Sequence, residues 1–245
     1  MSETWIILGA TSAIARAFAR KCAENGAELL LLGRDLPELK CIAADCEIRG
    51  AARAKAVAFD ARKPEKFETI IDEIALSNAP LNAAVFVGSM PEQSAIDADP
   101  SLVDGTIQDS FTGPARFLQR LAPLLEKRGS GTIIGVTSVA GDRGRIGNYV
   151  YGAAKAGFAT YLSGLRNRLA RKGVHVMTVK PGFVDTGMTW GLEGMFLVAT
   201  PEDIANSLMK AVAKKRNVIY TPFFWRYIML VIRTIPEFIF KKLSI

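Results

Sequence analysis

Short apolar runs alternate with amphipathic stretches along almost the whole chain. Seven segments read as strands: Trp5–Gly9, Glu28–Gly33, Lys55–Phe59, Asn82–Val87, Thr132–Thr137, Val174–Lys180 and Asn217–Thr221. Between them, apolar residues recur at helical spacing near 12–25, 36–49, 64–77, 101–127, 149–172 and 201–215. Strands such as Leu29–Leu32 are continuous apolar runs with no in/out alternation, the pattern of parallel strands covered on both faces. The pattern predicts an α/β fold: a single-domain, doubly wound parallel sheet of about seven strands, with right-handed crossovers placing helices on both faces. No Ser/Pro-rich linker, repeat or low-complexity tract divides the chain. Residues 1–221 are expected to form the main body, and 222–245 a basic, aromatic C-terminal extension of the same domain.

Composition agrees with a packed globular chain, at 245 residues, 49% hydrophobic and 22% charged. The N-terminus runs straight into the first strand with no basic or apolar leader, so no secretory signal is expected. Cys22, Cys41 and Cys46 are odd in number and lack CxxC spacing, which suits reduced thiols in a cytoplasmic protein. One histidine, His175, lies in an apolar run, so a metal site or a His-based triad has almost no material to work with. The net charge of +7 is unevenly placed: from Asn206 onward there are eight Lys/Arg against one acid, Glu237, while the rest of the chain balances. A nucleic-acid partner is not expected, because no recognisable module spreads basic groups over a binding face.

The first strand is followed by Gly9-Ala10-Thr11-Ser12-Ala13-Ile14-Ala15, which opens a helix. In a βαβ unit this is where a dinucleotide pyrophosphate rests, on the free N–H groups of a helix N-terminus. Three glycines would fall at Gly9, Ala13 and Ala15, and the chain keeps the first. Taken alone, the loop is equally a tight strand-to-helix turn. The second strand ends Gly33-Arg34-Asp35. A carboxylate near this strand end selects NAD by holding the ribose 2′-OH, whereas Arg suits a 2′-phosphate. Gly33 stands where that carboxylate would be sought, so NADP(H) is favoured over NAD(H). Asp35 reads as the start of the next helix. Asp60, ending the third strand, either reaches the adenine or caps the helix that follows.

Tyr151 and Lys155 stand at i and i+4, one turn apart on one helix face, with Ser138 thirteen residues upstream. An amine near a phenol favours the phenolate and draws its pKa below about 10. A phenol so tuned gives a proton to a developing alkoxide, and Ser138 would add a second hydrogen bond to the same oxygen. The spacing by itself is equally that of two residues on a surface helix.

Gly9 to Ala15, Asp60, Thr137-Ser138-Val139-Ala140-Gly141, Tyr151-x-x-x-Lys155 and Pro181-Gly182-Phe183-Val184-Asp185-Thr186, in this order and spacing, resemble the short-chain dehydrogenase/reductase family over nearly the full length. The resemblance implies a Rossmann-like fold and a nicotinamide cofactor across the C-terminal edge of the sheet, held by Gly9, Thr11, Ser12, Ala13, Ile14, Arg34 and Asp60. It implies that Ser138 and Tyr151 hold the substrate oxygen and that Lys155 bonds the nicotinamide ribose. Pro181 and Gly182 then lead to Val184 and Thr186 at the carboxamide. It also implies a homodimer or homotetramer, with helices 101–127 and 149–172 as interface candidates. Two positions depart from the family. Phe86-Val87-Gly88-Ser89 replaces Asn-Asn-Ala-Gly, and Ser110 stands where an Asn supports the catalytic Lys through water, which predicts a modified proton relay. More narrowly, Ser138–Arg145, Asn148–Tyr151 and Trp225–Pro236 resemble the reductases acting on decaprenylphosphoryl 2-keto-pentose. That likeness implies a lipid-linked carbonyl substrate. Reduction of soluble ketones or acyl thioesters, and cofactor binding without chemistry, stay open beside it.

The tail fits a membrane-bound substrate. Its longest uncharged stretch, Tyr227–Ile232, is far shorter than the roughly 20 residues needed to span a bilayer. Aromatic and basic residues interleaved in short helices suit the plane of an anionic membrane surface. Packing over the substrate pocket or into a subunit interface would use the same residues. Gly187–Thr200, with Met188, Trp190, Leu192, Met195, Phe196 and Leu197, is the expected substrate lid, and a core-facing flap would show the same apolar content. The expected location is cytoplasmic, with peripheral contact on the inner membrane face.

Overall fold

Seven parallel strands form one sheet: β1 (Thr4–Leu8), β2 (Glu28–Gly33), β3 (Arg53–Ala58), β4 (Leu81–Val85), β5 (Thr132–Val136), β6 (His175–Pro181) and β7 (Val218–Thr221), in the order β3-β2-β1-β4-β5-β6-β7. The computed structural model describes residues 3–76, 79–191 and 194–243. The helices are α1 (Ala13–Glu24), α2 (Leu36–Ile48), α3 (Phe67–Ala75), α4 (Gln93–Ala98), α5 (Leu102–Ile107), α6 (Gly113–Arg128), α7 (Tyr149–Ala170), α8 (Pro201–Ala213), α9 (Trp225–Thr234) and α10 (Glu237–Phe240). This is the expected Rossmann-like α/β architecture.

Alternate residues of each central strand feed opposite cores. On β1, Trp5 and Ile7 pack with Phe18 of α1, Leu39 of α2 and Leu208 of α8. Ile6 and Leu8 point the other way, into Phe67 of α3, Phe117 of α6 and Phe158 of α7. All five β1 residues are buried, so the continuous apolar run follows from two-sided cover. The strand order reverses between β1 and β4, which opens a crevice at the carboxyl ends of the strands.

Three features differ from the sequence reading. The stretch 101–127 is not one helix: a π-helical turn, Gln108–Thr112, separates α5 from α6. Pro114 has no N–H to donate, and the turn seats Ser110 and Asp109 on fixed partners described below. The stretch 64–77 begins as a 3₁₀ turn, Pro64–Lys66, before α3. The short α4 carries too few residues for a helical period and was not foreseen.

Candidate active site

Gly9 sits at φ +77, and a Cβ there would stand 2.9 Å from the Val87 amide nitrogen. Both facts require glycine, and they bring the first turn against the end of β4. Ser12 caps α1, its hydroxyl accepting from the Ala15 amide at 3.3 Å. Thr11, Ser12, Ala13 and Ile14 therefore present the α1 N-terminus to the crevice, which is the geometry an anionic diphosphate needs. Arg16, which the sequence reading missed, braces the loop through a 3.1 Å bond from Nε to the Thr11 carbonyl and pairs with Glu38.

On the adenosine side, Gly33, Arg34, Asp60 and Asp109 line one narrow crevice with Gly9 and Gly88. Asp35 is the N-cap of α2, accepting from the Glu38 amide at 3.0 Å, so its carboxylate is engaged away from a ribose. Asp60 caps no helix; it accepts from the Arg62 amide at 2.9 Å and closes a tight turn. Arg62 in turn grips the buried Asp109 of the π turn with two bonds of 2.8 and 2.7 Å. Arg34 is exposed and forms no ion pair among the described residues. The loop and crevice fit a dinucleotide.

Ser138, Tyr151 and Lys155 converge on a cleft of about 630 Å³ that the α1 loop also lines. Ser138, two residues past β5, caps the 3₁₀ turn Val139–Asp142, its hydroxyl accepting from the Ala140 amide at 3.1 Å and facing the Tyr151 phenol. Tyr151 and Lys155 share the inner face of α7, with the Lys155 ammonium 5.7 Å from the phenol ring centre. Lys155 Nζ donates to the carbonyls of Val136 at 3.2 Å and Val87 at 3.4 Å. A Cβ at Gly88 would lie 2.9 Å from that nitrogen and 3.3 Å from Ser110 Oγ, so the glycine keeps both groups against the β4 loop.

The expected tuning of Tyr151 needs correction. Burial pushes the phenol up to about 12, and the Ser138 hydrogen bond offsets only part of that. Burial likewise brings Lys155 down to about 8. Desolvation sets the direction of both shifts, because both groups are nearly sealed from water. Ser110 is fully buried in the π turn, accepting from the Ser89 amide at 3.2 Å and donating to the Ser89 carbonyl at 3.1 Å. Its hydroxyl is thus bound to the β4 loop and makes no direct bond to Lys155.

After β6, Gly182 allows the closest approach in the site: a Cβ there would fall 1.9 Å from the Trp225 indole nitrogen. Pro181, Gly182, Val184 and Thr186 line the same cleft, followed by Met188. Phe196 packs on Trp225 at 5.3 Å between ring centres, and a bridge between Val184 and Ala199 ties the lid back to its own start. Leu192, expected in the lid, lies outside the described residues. Trp225 and Met229 bury the inner face of α9 against Val139, so the tail covers the end of the cleft. Arg143 clamps the tail, donating to the Ile232 carbonyl at 2.7 Å and the Ile235 carbonyl at 2.6 Å and pairing with Glu237. Arg145 and Asn148 line the cleft beside Ser138, and sequence reasoning gave them no role.

The family model described as "short chain dehydrogenase" matches residues 3–195. An uncharacterised oxidoreductase of Mycobacterium tuberculosis is 29% identical over 239 residues, covering 97% of this chain and 96% of that one. The ketoacyl reductase HetN of a Nostoc species is 28% identical over 226 residues, covering 89% and 77%. Among solved structures, a short-chain dehydrogenase from Sphingobium yanoikuyae in complex with NADPH superposes with a TM-score of 0.83 at 22% identity, over 90% of this chain and 88% of that one. With the family model matching most of its length, the chain belongs to the short-chain dehydrogenase/reductase family of oxidoreductases.

Proposed function

We propose that the protein is an NADP(H)-dependent reductase that converts a carbonyl to an alcohol, with Tyr151 as proton donor. The observation that carries this reading is the convergence of Ser138, Tyr151 and Lys155 on the cleft that the α1 loop also lines. When bound, the reduced nicotinamide supplies a hydride to the carbonyl carbon. Burial keeps the Tyr151 phenol protonated at neutral pH, so Oη holds a proton to give the carbonyl oxygen as charge grows there. With substrate in place, the Ser138 hydroxyl can turn its one proton from the phenol to the same carbonyl oxygen. The phenolate left behind is the form that burial disfavours, and the Lys155 ammonium on the same helix face offsets that penalty. Arg34 without a paired carboxylate, Gly33 beside it and Asp35 engaged as a helix cap favour a 2′-phosphate over a bare ribose.

The substrate reading is a lipid-linked keto sugar taken at an anionic membrane surface. It is supported by the sequence likeness of residues 138–145, 148–151 and 225–236, by Met188 at the cleft, and by exposed Trp190, Phe196 and Phe223 near the lid and tail. A second reading, reduction of acyl thioesters or soluble ketones, is favoured by the likeness to a ketoacyl reductase. NADPH oxidation measured against lipid-linked and soluble ketones separates the two. Tyr151→Phe should lower turnover by at least about a hundredfold, the scale of general acid catalysis, while leaving NADPH binding intact. A variant that turns over near the wild-type rate would refute the proton-donor assignment.

A further inference from the structure

Arg145 lies on the loop between the 3₁₀ turn Val139–Asp142 and α7, and its side chain lines the cleft with Ser138, Asn148 and Tyr151. Its Nε is buried with no hydrogen-bond partner, and among the described residues its guanidinium forms no ion pair. The charges around it are already committed. Asp142 pairs with Lys180 and accepts from the Tyr220 hydroxyl at 2.7 Å. Arg143 is held by Glu237 and the tail carbonyls. Burial lowers the Arg145 pKa from its ordinary value, and the nearby Asp142 carboxylate offsets only part of that. Arginine nevertheless keeps its proton in proteins, so a positive fork remains at the cleft wall.

Asn148 provides a second unmet group. It stands at the N-terminus of α7 but does not cap the helix with its side chain, and its Oδ1 is buried without a partner. A guanidinium without a direct ion pair and a free amide oxygen at one wall match a ligand with an anionic oxygen group and a hydroxyl donor.

We propose that Arg145 and Asn148 form a recognition subsite, and that the carbonyl substrate carries an anionic oxygen group, a phosphate ester or a carboxylate, near a hydroxyl. The inference rests on the reading of this cleft as the reducing site. It adds a charge requirement that the Ser138, Tyr151 and Lys155 arrangement does not impose. A phosphate could arrive as a soluble monoester or as the diester of a lipid carrier.

The test is calorimetric titration of full-length protein presaturated with NADP⁺, so that the nucleotide's own phosphates are already placed. The probes are glycerol 3-phosphate (a monoester), glycerophosphoglycerol (a diester headgroup without its lipid), glycerate and uncharged glycerol. At least one anion should bind more tightly than glycerol, and which one binds tells the source of the charge. Arg145→Gln should weaken that binding by about tenfold to a hundredfold, the loss of one charged hydrogen-bonding group, and Arg145→Lys should regain part of it. In parallel, dihydroxyacetone phosphate should exceed dihydroxyacetone in kcat/KM, and Arg145→Gln should erase that ratio through KM. Wild-type protein that binds no anion, or an Arg145→Gln variant that binds anions equally well, overturns the subsite. Turnover of both ketones with no anion preference overturns the charge requirement and leaves the reductase reading standing. Anion binding lost in Arg145→Gln, with neither these two ketones nor the lipid-linked and soluble panel turned over, sustains the subsite and refutes the reductase reading.

Discussion

Lys155 holds the largest electrostatic tension in the site. Its ammonium is buried, meets two backbone carbonyls and, among the described residues, pairs with no carboxylate; burial brings its pKa from 10.5 down to about 8. The folded state therefore gives up this proton more readily than the unfolded chain. Between about pH 8 and 10.5 the unfolded chain binds more protons, so this group adds stability as pH rises through that window. Below pH 8 the full penalty is present, with an upper bound of about 3 kcal/mol from the shift. Lys155→Met should then melt several degrees above wild type at pH 7, less whatever the two carbonyl bonds contributed, and should lose turnover. The advantage should shrink toward pH 10 in parallel thermal scans. A variant that tracks wild type at every pH would show that burial does not disfavour this charge. The residues themselves were legible from sequence: Gly9, Ser138, Tyr151 and Lys155 stand where their motifs put them. The direction of the tyrosine shift was not, because sequence names a neighbour without saying how dry the site is. The partners of Lys155 were also hidden, since the carbonyls of Val87 and Val136 could belong to any residue type.

At the scale of elements, β-strands covered on both faces and helices with clear apolar stripes were readable throughout. The breaks inside helical stretches were not, because a π turn conserves the apolar period on either side of it. Gln108–Thr112 depends on contacts from distant segments, Arg62 with Asp109 and Ser89 with Ser110, which no local pattern reports. The junction of β6 with α9 was equally hidden. Gly182 could be read as part of a cofactor motif, yet its nearest neighbour is Trp225, more than forty residues along the chain. The indole occupies the space of the missing Cβ, so Gly182→Ala overpacks a buried seam. It should destabilise the protein by about 2 kcal/mol, within the usual range for inserted methyl groups. In a Trp225→Leu background the added loss should fall by at least half, because the smaller side chain can give way. A thermodynamic cycle of the four proteins checks this, and strict additivity would mean that the two positions do not share the seam.

The whole molecule has an inner and an outer side at its C-terminal end. Trp225 and Met229 face inward, whereas Phe223, Tyr227, Leu230 and Phe238 are 74, 62, 61 and 66% exposed. Arg226, Arg233, Lys241 and Lys242 are also exposed on this segment and, against the single acid Glu237, give it +3 of the chain's net +7. The lid adds Trp190, 88% exposed. No helix among the described residues is long and apolar enough to cross a membrane, so the proposed lipid contact is docking in the plane of the surface. Deleting residues 222–245 would be a poor test, because it would strip Trp225 from Gly182 and Val139 and unseat the body. Exposed positions avoid that problem. Vesicles containing phosphatidylglycerol should sediment the wild-type protein, and added salt should reduce the bound fraction. Changing Phe223, Tyr227 and Leu230 together to Ser should lower partitioning at least about tenfold without shifting the melting temperature, since each removes apolar area already in water. Lys241→Ala with Lys242→Ala should weaken binding to anionic vesicles by about 1 kcal/mol per charge and leave binding to neutral ones unchanged. Equal sedimentation of wild type and the triple variant would remove the lipid surface from the proposal. The exposed face would then be left for a second protein surface, and the cleft for substrates that arrive in solution.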